Sequence, residues 1–102
     1  MLQSIEQDAE MKSILQDRET GCLVCGYPYT EEHHVLYGMG NNRMLSEKYG
    51  LKVYLCAEHH RGNTGVHFNK ALDNYLKRMA QIKFEEVYKD EDFRKVFGKN
   101  YV

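Results

Sequence analysis

Apolar residues recur at spacings of three and four through the C-terminal half of the chain, at Leu72, Leu76, Met79, Ala80 and Phe84. That spacing buries one face of a helix. The run holds neither Gly nor Pro, and it predicts an amphipathic helix from His67 to about Tyr88. Leu2, Ile5, Ala9, Ile14 and Leu15 repeat the pattern more loosely and predict an N-terminal helix over 2–18, ending near Thr20 and Gly21. Two short segments rich in β-branched and aromatic residues, 34–37 and 52–55, read as strands. Between them, GMGNNRMLSEKYG reads as a long loop from its Gly and Asn residues, and such length points to a functional loop. In the tail, Asp90 or Asp92 can cap a short helix carrying Phe93, Val96 and Phe97 that folds back on the core. These elements make an α+β chain with one domain over 1–102, and no repeat or low-complexity segment divides it.

Composition changes this picture little. The hydrophobic and charged fractions, 42% and 28%, are those of a globular protein and exclude disordered, collagen-like and membrane classes. No stretch approaches the roughly 20 apolar residues that span a bilayer. The polar, acidic N-terminus lacks the basic start and apolar run of a secretory signal, so the expected location is the cytoplasm. In a reducing compartment three cysteines are thiols or metal ligands rather than disulfides. A net charge of −1 argues against a broadly cationic nucleic-acid coat, so any such binding must be local. Acidic residues gather in 1–32, whereas Arg61, Lys70, Lys77, Arg78 and Lys83 follow the last Cys.

The chemistry is concentrated. All three Cys and all five His fall between residues 22 and 67. Cys22 and Cys25 form C-x2-C, and Cys56 and His59 form C-x2-H. Two such knuckles flanking a hairpin supply the three thiolates and one imidazole of a closed zinc site, whose binding adds folding free energy to a small core. His59 matches the spacing of the first knuckle, with His60 as the alternative fourth ligand. The remaining histidines, His33, His34, His67 and the other of this pair, exceed what one structural site needs. A His-His pair at the start of a hairpin, with another His on a helix packed against it, makes a divalent metal site beside a free imidazole. Adjacent strand residues point to opposite faces, so His33 and His34 share one site only if the chain bends or twists there.

The order C-x2-C, EHH, a glycine-containing loop and LC-x2-HH resembles HNH endonucleases with a zinc-stapled ββα-metal fold. The likeness is greatest to small phage and prophage nucleases, including the RecA-dependent recombination-enhancement type. It covers about residues 20–75, and it implies a ββα-metal core with a structural zinc knuckle pair, flanked by N-terminal and C-terminal helices, the latter over 67–97. It further implies a catalytic divalent metal (Mg, Mn or Zn) on His33 and His60, with His67 as an additional or alternative ligand, and His34 as general base. DNA is the implied partner, with a recombinase filament a further one. Arg43, Arg61, Lys70, Lys77 and Arg78 are the expected phosphate contacts. Where the family places its middle Asn, this chain has Gly50 and Leu51, which leaves a backbone carbonyl or a loop residue such as Asn41 or Asn42 to orient the catalytic imidazole. Two other readings stand beside the DNA nuclease: a non-catalytic zinc module that binds nucleic acid or protein, and a hydrolase of RNA or another phosphodiester.

Overall fold

A computed structural model describes residues 11–38 and 40–102. Its centre is a two-stranded antiparallel sheet, β1 (Glu31–His34) and β2 (Lys52–Leu55), paired in the register Glu31 to Leu55, Glu32 to Tyr54, His33 to Val53 and His34 to Lys52. Helix α1 (Asn42–Tyr49) lies between the strands in sequence. After β2 come α2 (Ala57–Arg61), α3 (Lys70–Val87) and α4 (Phe93–Phe97). This is a small α+β fold.

The second strand sits where the sequence predicts it, and all four of its residues are buried. The first begins three residues earlier than the predicted 34–37. Val35 still donates to the Leu51 carbonyl, but both backbone groups of Leu36 turn to the buried Ser46 hydroxyl, which donates to its carbonyl and accepts from its N–H. Val35 and Leu36 therefore enter the core as a bend rather than a ladder.

The predicted loop is largely helix. Asn42 to Tyr49 contains good helix formers, and Gly50 closes the helix at φ 74°, the left-handed conformation that suits glycine at a helix C-terminus. The Gly and Asn residues that read as loop chemistry lie mostly before it.

The expected N-terminal helix over 2–18 is absent from the described part of that range. Residues 2–10 lie outside the described residues, and 11–17 are not helical, followed by a single 3-10 turn at Arg18–Thr20. Their polar groups are committed elsewhere. Ser13 donates to the Lys52 carbonyl, Ile14 to the Gly50 carbonyl, and the Gln16 side chain accepts from Tyr54 N–H. Leu23 N–H then reaches the Tyr54 carbonyl. The segment thus covers the free edge of β2, which would otherwise expose unpaired backbone groups.

The C-terminal helices form as predicted. Asn69 caps α3 at Leu72 N–H, three residues inside the expected start, and Asp92 caps α4 at Arg94 and Lys95. Leu76, Ala80 and Phe84 face inward. Phe84 packs edge-on to Tyr49, Phe93 and Phe97, so α1, α3 and α4 meet in one aromatic cluster. No described helix is long and apolar enough to cross a membrane.

Candidate metal centres

Three groups of potential ligands converge among the described residues: two draw on α2, and the third, Glu32, His34 and Glu47, lies on the other face of β1. The first is Cys22, Cys25, Cys56 and His59, whose ligand atoms all lie within 4.8 Å of one another. Cys25 Sγ is 3.8 Å from Cys56 Sγ, and His59 Nδ1 is 3.3 Å from Cys56 Sγ and 3.7 Å from Cys22 Sγ. Two sulfurs each about 2.3 Å from a tetrahedral zinc are separated by about 3.8 Å, so these spacings are compatible with the edges of such a tetrahedron. The donor set is compatible with zinc, and the fourth position belongs to His59, as the two-residue spacing predicts.

Local backbone builds this site. Gly26 N–H donates to the Cys22 carbonyl and Cys22 N–H to the Tyr27 carbonyl, closing the first knuckle. Cys56 precedes α2 and His59 lies within its single turn of helix. Burial pushes the Cys22 thiol up, but backbone hydrogen bonds from Cys56, Cys25 and Val24, with His59, outweigh it and hold the group at about 6. Cys25 moves the other way: despite a backbone hydrogen bond at Tyr27, desolvation and the neighbouring Cys22 and Cys56 thiols push it up. A proton shared unequally among crowded thiols is what a cation would relieve.

The second group is His33, His60 and His67, again with ligand atoms within 4.8 Å. Their ring centroids are 5.1, 5.3 and 5.2 Å apart in the three pairings. Three features prepare it for a ligand. His33 is buried and its Nε2 has no hydrogen-bond partner, a costly state for a polar atom in the interior. Burial first, then the neighbouring histidines and Lys77, pushes its imidazole down to about 3, so the ring is neutral with a lone pair to offer. His60 Nδ1 donates to Glu31 Oε1 at 2.7 Å, which fixes the ring and leaves Nε2 as its free ligand atom, as carboxylates do behind metal-binding histidines.

His67 arrives through a tight passage. Val66 N–H donates to the His59 carbonyl, and Gly65 lies against the backbone of α2, where a Cβ would come within 2.6 Å of the Glu58 carbonyl oxygen and 2.9 Å of backbone carbons of His59 and His60. Only glycine lets the turn run this close. Tyr37 walls the cluster, its ring 5.6 Å from His33 and 5.3 Å from His67.

The structure does not bring His34 to this centre. Side chains alternate along β1, so Glu31 and His33 face the three-histidine cluster whereas Glu32 and His34 face the other way. His34 Nε2 is 2.8 Å from Glu47 Oε1, and His34 lines an open cleft of about 520 Å³ with Gly40, Asn41, Arg43, Met44 and Glu47. The orienting partner of His34 is therefore Glu47, from the segment that the sequence predicts as loop, rather than Asn41 or Asn42. Lys52, fully buried on β2, reaches Glu47 Oε2 at 3.0 Å and Glu32 Oε2 at 3.1 Å.

Two of the expected phosphate contacts are otherwise engaged. Arg61 holds Glu31 through Nε and a terminal nitrogen at 2.7–3.0 Å, and with His60 it keeps that carboxyl down at about 2. Lys77 pairs with Asp73 at 2.9 Å and sits 4.8 Å from the Tyr37 ring centre. Arg43, Lys70 and Arg78 are exposed. Glu31, Glu47 and Lys52 were missed from sequence. The alternation in EEHH contains a signal for Glu31, since it shares a strand face with His33, but Glu47 and Lys52 have none. Comparison with protein-family models, with curated proteins and with solved structures finds no match for this chain.

Proposed function

We propose that this chain is a zinc-stapled, metal-dependent endonuclease of the HNH class, in which β1, β2 and α2 form the ββα-metal core, and that it hydrolyses phosphodiester bonds in DNA. The observation that carries the reading is the second cluster: three imidazoles converge beside, but separate from, the Cys3His set, and one of them buries an unpartnered Nε2. A structural module needs one closed site, and a second open one with a prepared ligand set points to chemistry.

A divalent ion on His33, His60 and His67 would neutralise the phosphate and the departing 3′ oxygen. An all-imidazole set suits zinc or another transition ion better than magnesium, which prefers oxygen. His34 is the general base. Its Nε2 is held by Glu47, so Nδ1 is the nitrogen that takes the proton from the attacking water. Because His33 and His34 leave β1 on opposite faces, this reading requires a phosphate at the end of the strand that reaches both. Arg43, in the His34 cleft, is the nearest candidate for a backbone phosphate contact.

Plasmid nicking with added zinc, manganese and magnesium tests the reading. His34→Ala should lower cleavage by at least about 100-fold while DNA and metal binding survive. Equal nicking by the variant refutes the mechanism. Absence of cleavage on duplex DNA, single-stranded DNA and RNA with any of these ions, alongside retained DNA binding, would favour the non-catalytic zinc module, which the thin basic surface and net charge of −1 also suit.

A further inference from the structure

The cluster on the other face of β1 is unusual for so small a chain. Lys52 carries a charge at zero exposure, which is costly unless the ammonium is paired and hydrogen-bonded. It is met by two carboxylates, Glu32 and Glu47. Both oxygens of Glu47 are used: Oε1 takes His34 Nε2 at 2.8 Å and Lys52 at 3.1 Å, and Oε2 takes Lys52 at 3.0 Å and the Met11 N–H at 3.1 Å. A carboxylate held at both oxygens cannot rotate. Glu32 Oε1, 3.7 Å from His34 Nε2, flanks the same nitrogen. Nδ1 of His34 has no hydrogen-bond partner among the described residues, and the ring borders the open cleft.

We propose that Glu47, locked by the buried Lys52, is the positioning residue for His34: it fixes the Nε2–H tautomer, aims Nδ1 at the cleft and stabilises the imidazolium that forms when a proton is taken. This rests on the nuclease reading for its catalytic consequence, but not for the tautomer. A carboxylate that accepts from one ring nitrogen holds the proton there and makes the other a stronger base, without itself touching the substrate. The buried ammonium then has a purpose beyond packing, since it keeps Glu47 ionised and immobile behind the imidazole. His34 and Lys52 face each other across the sheet, so the pairing register assembles the whole relay.

The test uses the full-length, zinc-loaded protein. Long-range ¹⁵N–¹H correlation spectra report which nitrogen of His34 carries the proton, and steady-state cleavage of plasmid DNA separates kcat from KM. Wild type should show the Nε2–H tautomer. Glu47→Ala should show a mixture, with kcat lowered about 10- to 100-fold and KM unchanged, part of the roughly 10²- to 10⁴-fold that a general base contributes. Glu47→Gln, which keeps an oxygen acceptor but loses the charge, should restore the tautomer in part while kcat stays well below wild type, because a neutral amide does not stabilise the imidazolium. Wild type with its proton on Nδ1, or Glu47→Ala with the wild-type tautomer, overturns the proposal. Should Glu47→Ala not fold, the wild-type spectrum decides by itself. Wild type that shows the Nε2–H tautomer yet cleaves nothing upholds the positioning and refutes the nuclease reading instead.

Discussion

Removal of the ion expected between the two knuckles should unfold most of the chain. The ligands come from two places far apart along the chain: the 22–25 turn, and the knuckle from Cys56 to His59 at the start of α2. Cys22 and Cys56 are also core residues, in contact with the cluster that includes Val53, Leu55 and Val66. A chain of 102 residues has a total stability of about 5–15 kcal/mol, and a structural zinc site contributes about 10–16 kcal/mol. The site is therefore worth as much as the whole folded state. Cys56→Ala, or a strong chelator, should abolish the cooperative thermal transition and collapse the amide dispersion of residues 22–67. Some helicity should survive, because the aromatic cluster of Tyr49, Phe84, Tyr88, Phe93 and Phe97 lies outside the knuckles. Metal analysis of the purified wild type should give about one tightly held zinc per chain. His59→Ala should release it and His60→Ala should not. A well-folded sample with no zinc, or a metal-free chain that still melts cooperatively with native dispersion, would show that these thiols are packing groups and nothing more.

Other outcomes follow from the second cluster and its surroundings. Glu31→Gln should weaken the second ion by about 10- to 100-fold, as loss of an outer carboxylate does, while the first zinc stays; calorimetric titration into the zinc-loaded protein measures this, and an unchanged affinity removes Glu31 from the site. Gly65→Ala should likewise lose the second ion and keep the first, because the added Cβ pushes the turn off α2 and carries His67 away. Lys52→Met leaves Glu32 and Glu47 facing each other without their cation and should cost about 3–5 kcal/mol in chemical denaturation, so a change below about 1 kcal/mol would mean that the pair is hydrated rather than locked. Arg43→Ala and Arg78→Ala should each lower the salt slope of DNA binding by about one, whereas Lys77→Ala should leave it unaltered because Asp73 already holds that ammonium.

What could be read from the sequence was whatever depends on neighbours along the chain. The zinc-type set was legible because each knuckle is a local turn with its two ligands at fixed spacing, and only the choice between His59 and His60 waited for α2 to aim one imidazole to each side. The long C-terminal helix was legible because a period of three to four survives any tertiary context. Asp92 as a cap was legible because a side chain two residues from Arg94 N–H needs no distant partner. A second metal site was anticipated from the surplus of histidines at a hairpin start and on the helix packed against it, but the particular set of His33, His60 and His67 came from the family resemblance, since nothing in their spacing requires it.

The rest was decided in three dimensions. Residues 11–17 left the helical pattern because their backbone and side chains close the edge of β2, a partner about 38 residues away. The first strand moved to Glu31–His34 because β2 sets its register and Ser46 claims the backbone of Leu36. Arg61 is no free cation because Glu31 reaches it from a distant strand, a pairing that leaves no mark in sequence, whereas the Asp73–Lys77 pair at i,i+4 on the predicted helix was there to be read. The sharpest case is His33 and His34. The sequence makes them neighbours, but the pleat sends one to a prepared ligand cluster and the other to a locked carboxylate, because successive side chains of a strand leave it on opposite faces.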